Sequence, residues 1–363
     1  CGSPGADNNT SSQNKGLKVV TTFLPITLFT EAVAGDCAEV TALIPPNLGP
    51  HDFQATPSDL ADLGSAAVLV KNGLEIEEFL DDLISSADNK NLKVIDSSSG
   101  IATIKAAGGG HHDEAHHDDH HDDHHDDHHD DHEADHHDHG HGHSHGEYDP
   151  HVWLDPVRAA KQVENIRDGL IAADPSCTDG YTTNAANYTA KLKELNTEFT
   201  TKLKPYSGKT FVAFHDFATY FANRYSLKAE FLVDLPEMNP SPADLQRVSA
   251  QVKSSGLKAL LTEPQEGNRS FNALAKDLGV NIVEFNPLET GSAESAKLPD
   301  TYFEVMRSNV NNLVKAIGDC RLKRSPVLVV GDLSVDRSGR LAVEKVSFDL
   351  QSESETAGVG PNG

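Results

Sequence analysis

Long apolar runs are missing from this chain of 363 residues. The longest of them, such as residues 66–70, have only the length of a β-strand, whereas a membrane-spanning helix needs roughly 18 apolar residues. The sequence therefore predicts no transmembrane helix. A chain of this length can bury two hydrophobic cores of ordinary size.

Basic residues are few as well. The chain has 30 Lys and Arg against 56 Asp and Glu, which gives a formal net charge of -26. Because phosphate contacts depend on Lys and Arg, this composition argues against a nucleic-acid partner and favours the attraction of cations. The acidic excess is concentrated: residues 111–145 contain 13 acidic residues, 17 of the 20 histidines, and no Lys or Arg.

Cysteine is scarce, with four residues and no CxxC pair, so a thiolate metal site is not expected. Cys37, Cys177 and Cys320 allow one intramolecular disulfide in an exported protein, and the sequence leaves the pairing open. Cys1 is followed by a polar stretch. This pattern is typical of a processed bacterial lipoprotein, in which Cys1 would carry lipid and residues 1–16 would form a flexible tether.

Strands alternate with helices along the body of the chain, which predicts an α/β fold with two lobes, each built on a parallel sheet flanked by helices. Residues 56–59 (TPSD) have the pattern of a capped helix start, and residues 241–244 (SPAD) repeat it in the second half. A further helix is predicted over residues 75–87. Apolar residues with helical spacing predict one long helix over 178–204, about 40 Å in length, that joins the lobes.

These patterns predict the domain organisation. We expect a first lobe over 17–177, the linking helix over 178–204 and a second lobe over 205–320. A C-terminal extension over 321–363 would hold a β-hairpin and a disordered tail. The first lobe would include a His/Asp-rich loop over 108–148, which without metal is expected to be disordered because it has almost no apolar residues to bury. The long helix predicts small lobe motions instead of wide hinge opening.

The histidine tract, defined as residues 111–145, repeats the motif HHDD four times from His116. Neutral imidazole binds Zn²⁺, Ni²⁺ and Cu²⁺, and the carboxylates add charge attraction. The tract therefore predicts several weak transition-metal sites, whose occupancy falls below a pH of about 6.5 as imidazole is protonated. The tract histidines are His111, His112, His116, His117, His120, His121, His124, His125, His128, His129, His132, His136, His137, His139, His141, His143 and His145.

Only His51, His151 and His215 lie outside the tract. His51 and His151 precede helix starts, and His215 ends a predicted strand; ligands of open α/β sheets bind beyond the carboxyl ends of strands. Taken singly, each histidine is more typical of a core or capping residue. Taken together, three neutral imidazoles in one cleft would form a Zn²⁺ site with a fourth position open.

Four motifs carry a family resemblance: residues 50–53 (PHDF), 151–156 (HVWLDP), 214–217 (FHDF) and 262–265 (TEPQ). Over residues 17–319 the chain resembles the zinc-specific solute-binding proteins of bacterial ABC uptake systems, the ZnuA type of the metal-binding lipoprotein group. The resemblance implies two α/β lobes joined by one long rigid helix. It also implies that Zn²⁺ is held between the lobes by His51, His151 and His215.

The resemblance bears on the metal and on the fourth ligand. Manganese-type relatives carry carboxylates where this chain has His215 and Asn286, which favours Zn²⁺ over Mn²⁺. The fourth ligand is then expected to be water or Glu263. Glu263 could instead orient an imidazole from outside the ligand set.

The leading hypothesis from the sequence is a monomeric protein that is not an enzyme. It would capture Zn²⁺ in the periplasm, or on the outer face of a bacterial cytoplasmic membrane, and deliver the ion to an ABC permease of the inner membrane. The histidine tract would serve as an auxiliary zinc collector or sensor. Two alternatives stay open: a zinc store that works through the tract, and a zinc hydrolase that uses three histidines and a bound water, with Glu263 as base.

Overall fold

The computed structural model describes residues 16–106, 146–236, 238–264 and 269–318, together with the strand segments 328–330, 335–337, 340–343 and 348–350. Cys1, Cys320, the histidine tract and the predicted C-terminal tail lie outside the described residues. The chain divides into two compact units, Cys1–Ile317 and Gly318–Gly363. Both predicted lobes belong to the first unit.

The first lobe alternates strands and helices in the way that the sequence predicts. Its elements are β1 (Leu17–Thr21), α1 (Leu24–Ala34), β2 (Ala38–Ala42), α2 (Pro57–Ser65), β3 (Val68–Lys71), α3 (Leu80–Ala87), β4 (Lys93–Asp96) and α4 (Pro156–Ala173). The four strands form one sheet in the order β2-β1-β3-β4, and every neighbouring pair is parallel.

The second lobe repeats this arrangement. Its elements are β5 (Thr210–His215), α6 (Thr219–Arg224), β6 (Lys228–Val233), α7 (Pro242–Ser255), β7 (Ala259–Thr262), α8 (Arg269–Leu278), β8 (Asn281–Glu284) and α9 (Thr301–Ile317). The sheet order is β6-β5-β7-β8, again all parallel. In each sheet the second strand pairs on one side of the first strand and the third strand pairs on its other side. The strand order therefore reverses next to β1 and next to β5, and ligands of such sheets characteristically bind at this switch point.

One long helix, α5 (Thr178–Leu203), joins the two lobes. Its buried face recurs every three or four residues, as the apolar spacing predicts. The buried residues of this helix are Tyr181, Ala185, Tyr188, Thr189, Leu192, Leu195, Phe199 and Leu203. The predicted fold class, two parallel α/β lobes connected by a long helix, is confirmed.

Helix starts follow the capping patterns of the sequence. At α2 the backbone N–H of Thr56 donates to Asp59 Oδ2 over 2.7 Å, and at α7 the N–H of Ser241 donates to Asp244 Oδ2 over 3.0 Å. The predicted helix over 75–87 is wrong at its start. Leu74 and Glu75 have left-handed backbone angles, with φ of 57° and 63°, so α3 begins only at Leu80.

Of the disulfide pairings that the sequence leaves open, Cys37–Cys177 is formed. It joins the turn before β2 to the start of α5. No described helix combines the length and the apolar composition that a membrane span requires. The second unit contains β9 (Leu328–Val330), β10 (Val335–Arg337), β11 (Arg340–Val343) and β12 (Phe348–Leu350), which pair antiparallel as β10 with β11 and β9 with β12.

Candidate metal centre

The three histidines outside the tract come together between the two lobes. His51 lies in the loop after β2, His151 directly precedes the turn that leads into α4, and His215 is the last residue of β5. The distances between ring centroids are 6.5 Å for His51 and His151, 6.2 Å for His51 and His215, and 5.5 Å for His151 and His215. The convergence that the sequence predicted is therefore present in the fold.

A carboxylate completes this cluster. Glu289 lies in the loop after β8, and its Oε1 is 3.2 Å from His151 Nε2 and 3.5 Å from His215 Nε2. One ligand atom from each of His51, His151, His215 and Glu289 lies within 4.8 Å of the others. His151, His215 and Glu289 are buried, and His51 is partly exposed. The sequence analysis offered water or Glu263 as the fourth ligand and did not name Glu289, which lies within this cluster.

Each of the two buried histidines has a carboxylate on its other ring nitrogen. Asp149 Oδ1 is 2.8 Å from His151 Nδ1, and Glu263 Oε1 is 2.6 Å from His215 Nδ1. A carboxylate can only accept, so Nδ1 carries a proton, and Nε2 is the nitrogen that can bind a metal once it is deprotonated. Of the two roles open to Glu263, this geometry fits the orienting one.

Sheet topology explains why Glu263 reaches His215. β5 and β7 are neighbours across the switch point of the second sheet, His215 ends β5, and Glu263 directly follows β7. Because carboxyl ends of parallel strands meet at one edge, the two side chains are brought together. Asn286, in contrast, serves the loop after β8: its Oδ1 accepts a hydrogen bond from the N–H of Leu288 over 2.7 Å.

The charges of the cluster are strongly coupled. Burial by itself would lower the pKa of His151, but Asp149 and Glu289 outweigh it and raise that pKa to about 9. Burial would likewise lower the pKa of His215, yet Glu263 and Glu289 raise it well above its usual value. Burial would raise the pKa of Glu289, but the two histidines hold it well below its ordinary range. A metal must therefore displace protons to bind here.

Two buried atoms test whether a cation fits. Among the described residues no group makes a well-formed hydrogen bond to His215 Nε2 or to Glu289 Oε1. Buried polar atoms are nearly always satisfied. When Nε2 is deprotonated, these two atoms face each other across 3.5 Å, and a cation bound to both would satisfy them. Beside them lies a cavity of about 60 Å³, lined in part by His51, Pro236 and Glu289.

The fold and this cluster define a two-lobed α/β protein with a set of metal-ligand side chains in the cleft between its lobes. The model of the family described as "Zinc-uptake complex component A periplasmic" matches residues 19–316. The chain belongs to this family.

Individual relatives with zinc-related names are similar to the chain in sequence. The chain is 32% identical over 309 residues to the zinc-binding lipoprotein AdcA of Streptococcus pneumoniae, covering 85% of this chain and 57% of the relative. It is 31% identical over 314 residues to the high-affinity zinc uptake system protein ZnuA of Bacillus subtilis, covering 86% and 91%. The chain thus spans little more than half of the AdcA relative.

Solved structures show the same fold. The Zn(II)-bound ZnuA-like domain of S. pneumoniae AdcA superposes with a TM-score of 0.65 at 29% identity, covering 84% of this chain and 100% of that one. A structure described as ZnuA gives a TM-score of 0.64 at 25% identity, covering 82% and 99%.

Proposed function

We propose that this chain captures one extracytoplasmic Zn²⁺ ion through His51, His151, His215 and Glu289 and delivers it to an ABC-type permease. The observation that carries the proposal is the buried cluster of three imidazoles and one carboxylate. Three nitrogen donors and one oxygen suit tetrahedral Zn²⁺, whereas Mg²⁺, Ca²⁺ and Mn²⁺ prefer oxygen-rich sites. The zinc names of the relatives support the same metal.

The cluster also supports transport over hydrolysis. A catalytic zinc keeps one coordination position open for water, whereas a closed site with four protein ligands does not. Glu289 fills the position that a hydrolytic water would need. Glu263, the base that a hydrolase would require, is engaged with His215 Nδ1. We infer that the chain is not an enzyme.

We propose that the histidine tract collects zinc near the protein or senses its excess, because its composition favours many weak sites over one tight site. The disulfide Cys37–Cys177 supports an oxidising, extracytoplasmic location. Attachment of Cys1 to lipid and a monomeric state complete the proposal. The intact mass of the native protein tests the anchor: a mass equal to that of the bare polypeptide would exclude it.

Calorimetric zinc titration of a chain that lacks residues 111–145 tests the metal centre. We expect the deletion to be structurally mild. The N–H of Ala106 donates to the carbonyl of Glu147 over 3.2 Å, and residues 107–110 and 146 remain to connect these two sides. We expect one tightly bound ion. His215→Ala should lower the affinity by more than the roughly 10–100-fold typical of an outer-sphere partner.

Glu289→Gln should also weaken binding in this titration, because the amide supplies no charge to the ion. Glu294→Gln, an exposed position in the same loop region, is the matched control and should bind like the parent. If the chain without the tract binds no ion tightly, the centre is not the functional site. Zinc storage or sensing by the tract would then be the better-supported function.

A further inference from the structure

The residues that flank the histidine tract pair with each other in a short segment. We call this segment the stem and define it as residues 104–106 and 147–149. Lys105 and Tyr148 form an antiparallel bridge. The N–H of Ala106 donates to the carbonyl of Glu147 over 3.2 Å, and the N–H of Asp149 donates to the carbonyl of Ile104 over 3.0 Å. The stem therefore ends at Asp149, the residue that orients His151.

Tyr220, on α6 of the second lobe, binds both sides of the stem with one hydroxyl. The hydroxyl donates to the backbone carbonyl of Asp149 over 2.7 Å and accepts the N–H of Ile104 over 3.1 Å. Its ring is buried, and the guanidinium of Arg158 lies 4.7 Å from the ring centroid. Arg158 in turn donates to the carbonyl of Ala102, just before the stem.

Asp149 connects the stem to His151 of the metal centre. Its Oδ1 accepts the N–H of His151 over 2.8 Å and lies 2.8 Å from His151 Nδ1. Its backbone N–H and carbonyl are held by Ile104 and Tyr220. The position of the His151 ring therefore depends on a backbone that three elements fix: the two sides of the stem and α6.

We infer that Tyr220 is a positioning residue for zinc binding: its hydroxyl locks the stem of the histidine tract onto the loop of His151, with Asp149 as the connecting group. The inference rests on the proposed zinc function of the centre. A metal site binds tightly when its ligands are held in place before the ion arrives. The stem at which the tract is inserted is thereby part of the support of the zinc site.

Release of zinc from the full chain to an excess of a strong chelator tests this inference, after ions on the tract have been stripped with a weak chelator. Tyr220→Phe keeps the buried ring and removes only the hydroxyl, and we expect about tenfold faster release. Tyr188→Phe is the matched control. It removes a 2.8 Å hydrogen bond to the carbonyl of Pro299 in a region that carries no ligand.

Tyr220→Phe and Tyr188→Phe should lower the thermal stability of the metal-free protein to a similar extent. Only Tyr220→Phe should speed zinc release and alter the visible spectrum of the Co²⁺-loaded protein. Parental release and spectrum for Tyr220→Phe would overturn the inference. Asp149→Asn, which preserves the backbone hydrogen bonds, provides an independent variant if Tyr220→Phe does not fold. It should also release zinc faster, and a parental rate would contradict the role of Asp149.

The same zinc-release measurements distinguish a failure of the proposed zinc function from a failure of the positioning role of Tyr220. If the parent protein holds zinc no more tightly than His215→Ala does, the zinc centre itself is wrong. If the parent holds zinc tightly and Tyr220→Phe releases it at the parental rate, only the positioning role fails.

Discussion

Buried carboxylates have distinct tasks in the first lobe and at the metal centre. Asp149 and Glu263 hold imidazoles, and Glu289 faces the site of the ion. Glu77 instead holds backbone: its Oε1 accepts the N–H of Asn72 over 2.7 Å, and its Oε2 accepts the N–H of Gly73 over 3.0 Å. It thereby ties the segment before α3 to the two residues that follow β3.

The pH dependence of stability should carry a contribution from Glu77. Burial raises its pKa from 4.5 to about 7, although hydrogen bonds from Asn72, Thr22 and Gly73 act in the opposite direction. The folded state thus binds this proton more tightly than the unfolded chain. The stabilisation is fully present below about pH 4.5 and is lost as the pH rises through 7, a change on the order of 3 kcal/mol.

Urea unfolding of the metal-free protein between pH 4.5 and 8 measures this contribution. Glu77→Gln retains an oxygen for Asn72 and removes the titration, so its free energy of unfolding should fall less with rising pH than that of the parent. Glu78→Gln, at the exposed neighbour, is the control and should follow the parent curve. Parallel curves for parent and Glu77→Gln would contradict the raised pKa.

Residue types predicted the centre only in part. His51, His151 and His215 stood out because the other 17 histidines lie in the tract. Glu289 had no such signal, since it is one of 56 acidic residues. It reaches the centre because the loop after β8 turns at Leu288, whose φ is 66°, and a left-handed turn at leucine is not predictable from sequence. A carboxylate shortly beyond the end of a strand was the only available cue.

Among the helices and strands, the sequence predicted those boundaries that depend on residues close together in the chain. The capping patterns at Thr56 and Ser241 gave helix starts correctly, because the capping groups are neighbours in the chain. The predicted start of α3 was wrong because Leu74 and Glu75 have left-handed backbone angles, and the sequence gives no local signal for this turn. The same limit explains the disulfide, where spacing alone could not choose Cys177 as the partner of Cys37.

Several contacts link the lobes of the first unit, among them a hydrogen bond from the N–H of Gly291 to the carbonyl of Pro46 over 2.6 Å and two larger connections. One is α5, a rod of about 39 Å at 1.5 Å per residue. The other is the segment from Asp149 to Asp155. Within it, Trp153 Nε1 donates to the carbonyl of Pro287 over 2.8 Å, and the hydroxyl of Tyr302 donates to the carbonyl of Trp153 over 2.7 Å.

An ion pair strengthens the second connection. Arg224 of α6 donates to both oxygens of the buried Asp155, through Nε at 2.8 and 3.0 Å and Nη2 at 2.8 Å. Asp155 also caps α4 by accepting the N–H of Val157. Asp155 also pairs with Arg158 of α4, but only Arg224 comes from the second lobe, so the Arg224 pair is the one that resists separation of the lobes.

These contacts between the lobes predict that zinc loading moves the lobes little. Small-angle scattering of the chain without residues 111–145 should give the same radius of gyration with and without zinc. Arg224→Met should expand the metal-free chain, whereas Arg307→Met, which removes an exposed pair with Glu198, should not. Contraction of the parent by more than about 1 Å on zinc binding would indicate hinge closure, and these contacts would then not restrain the lobes.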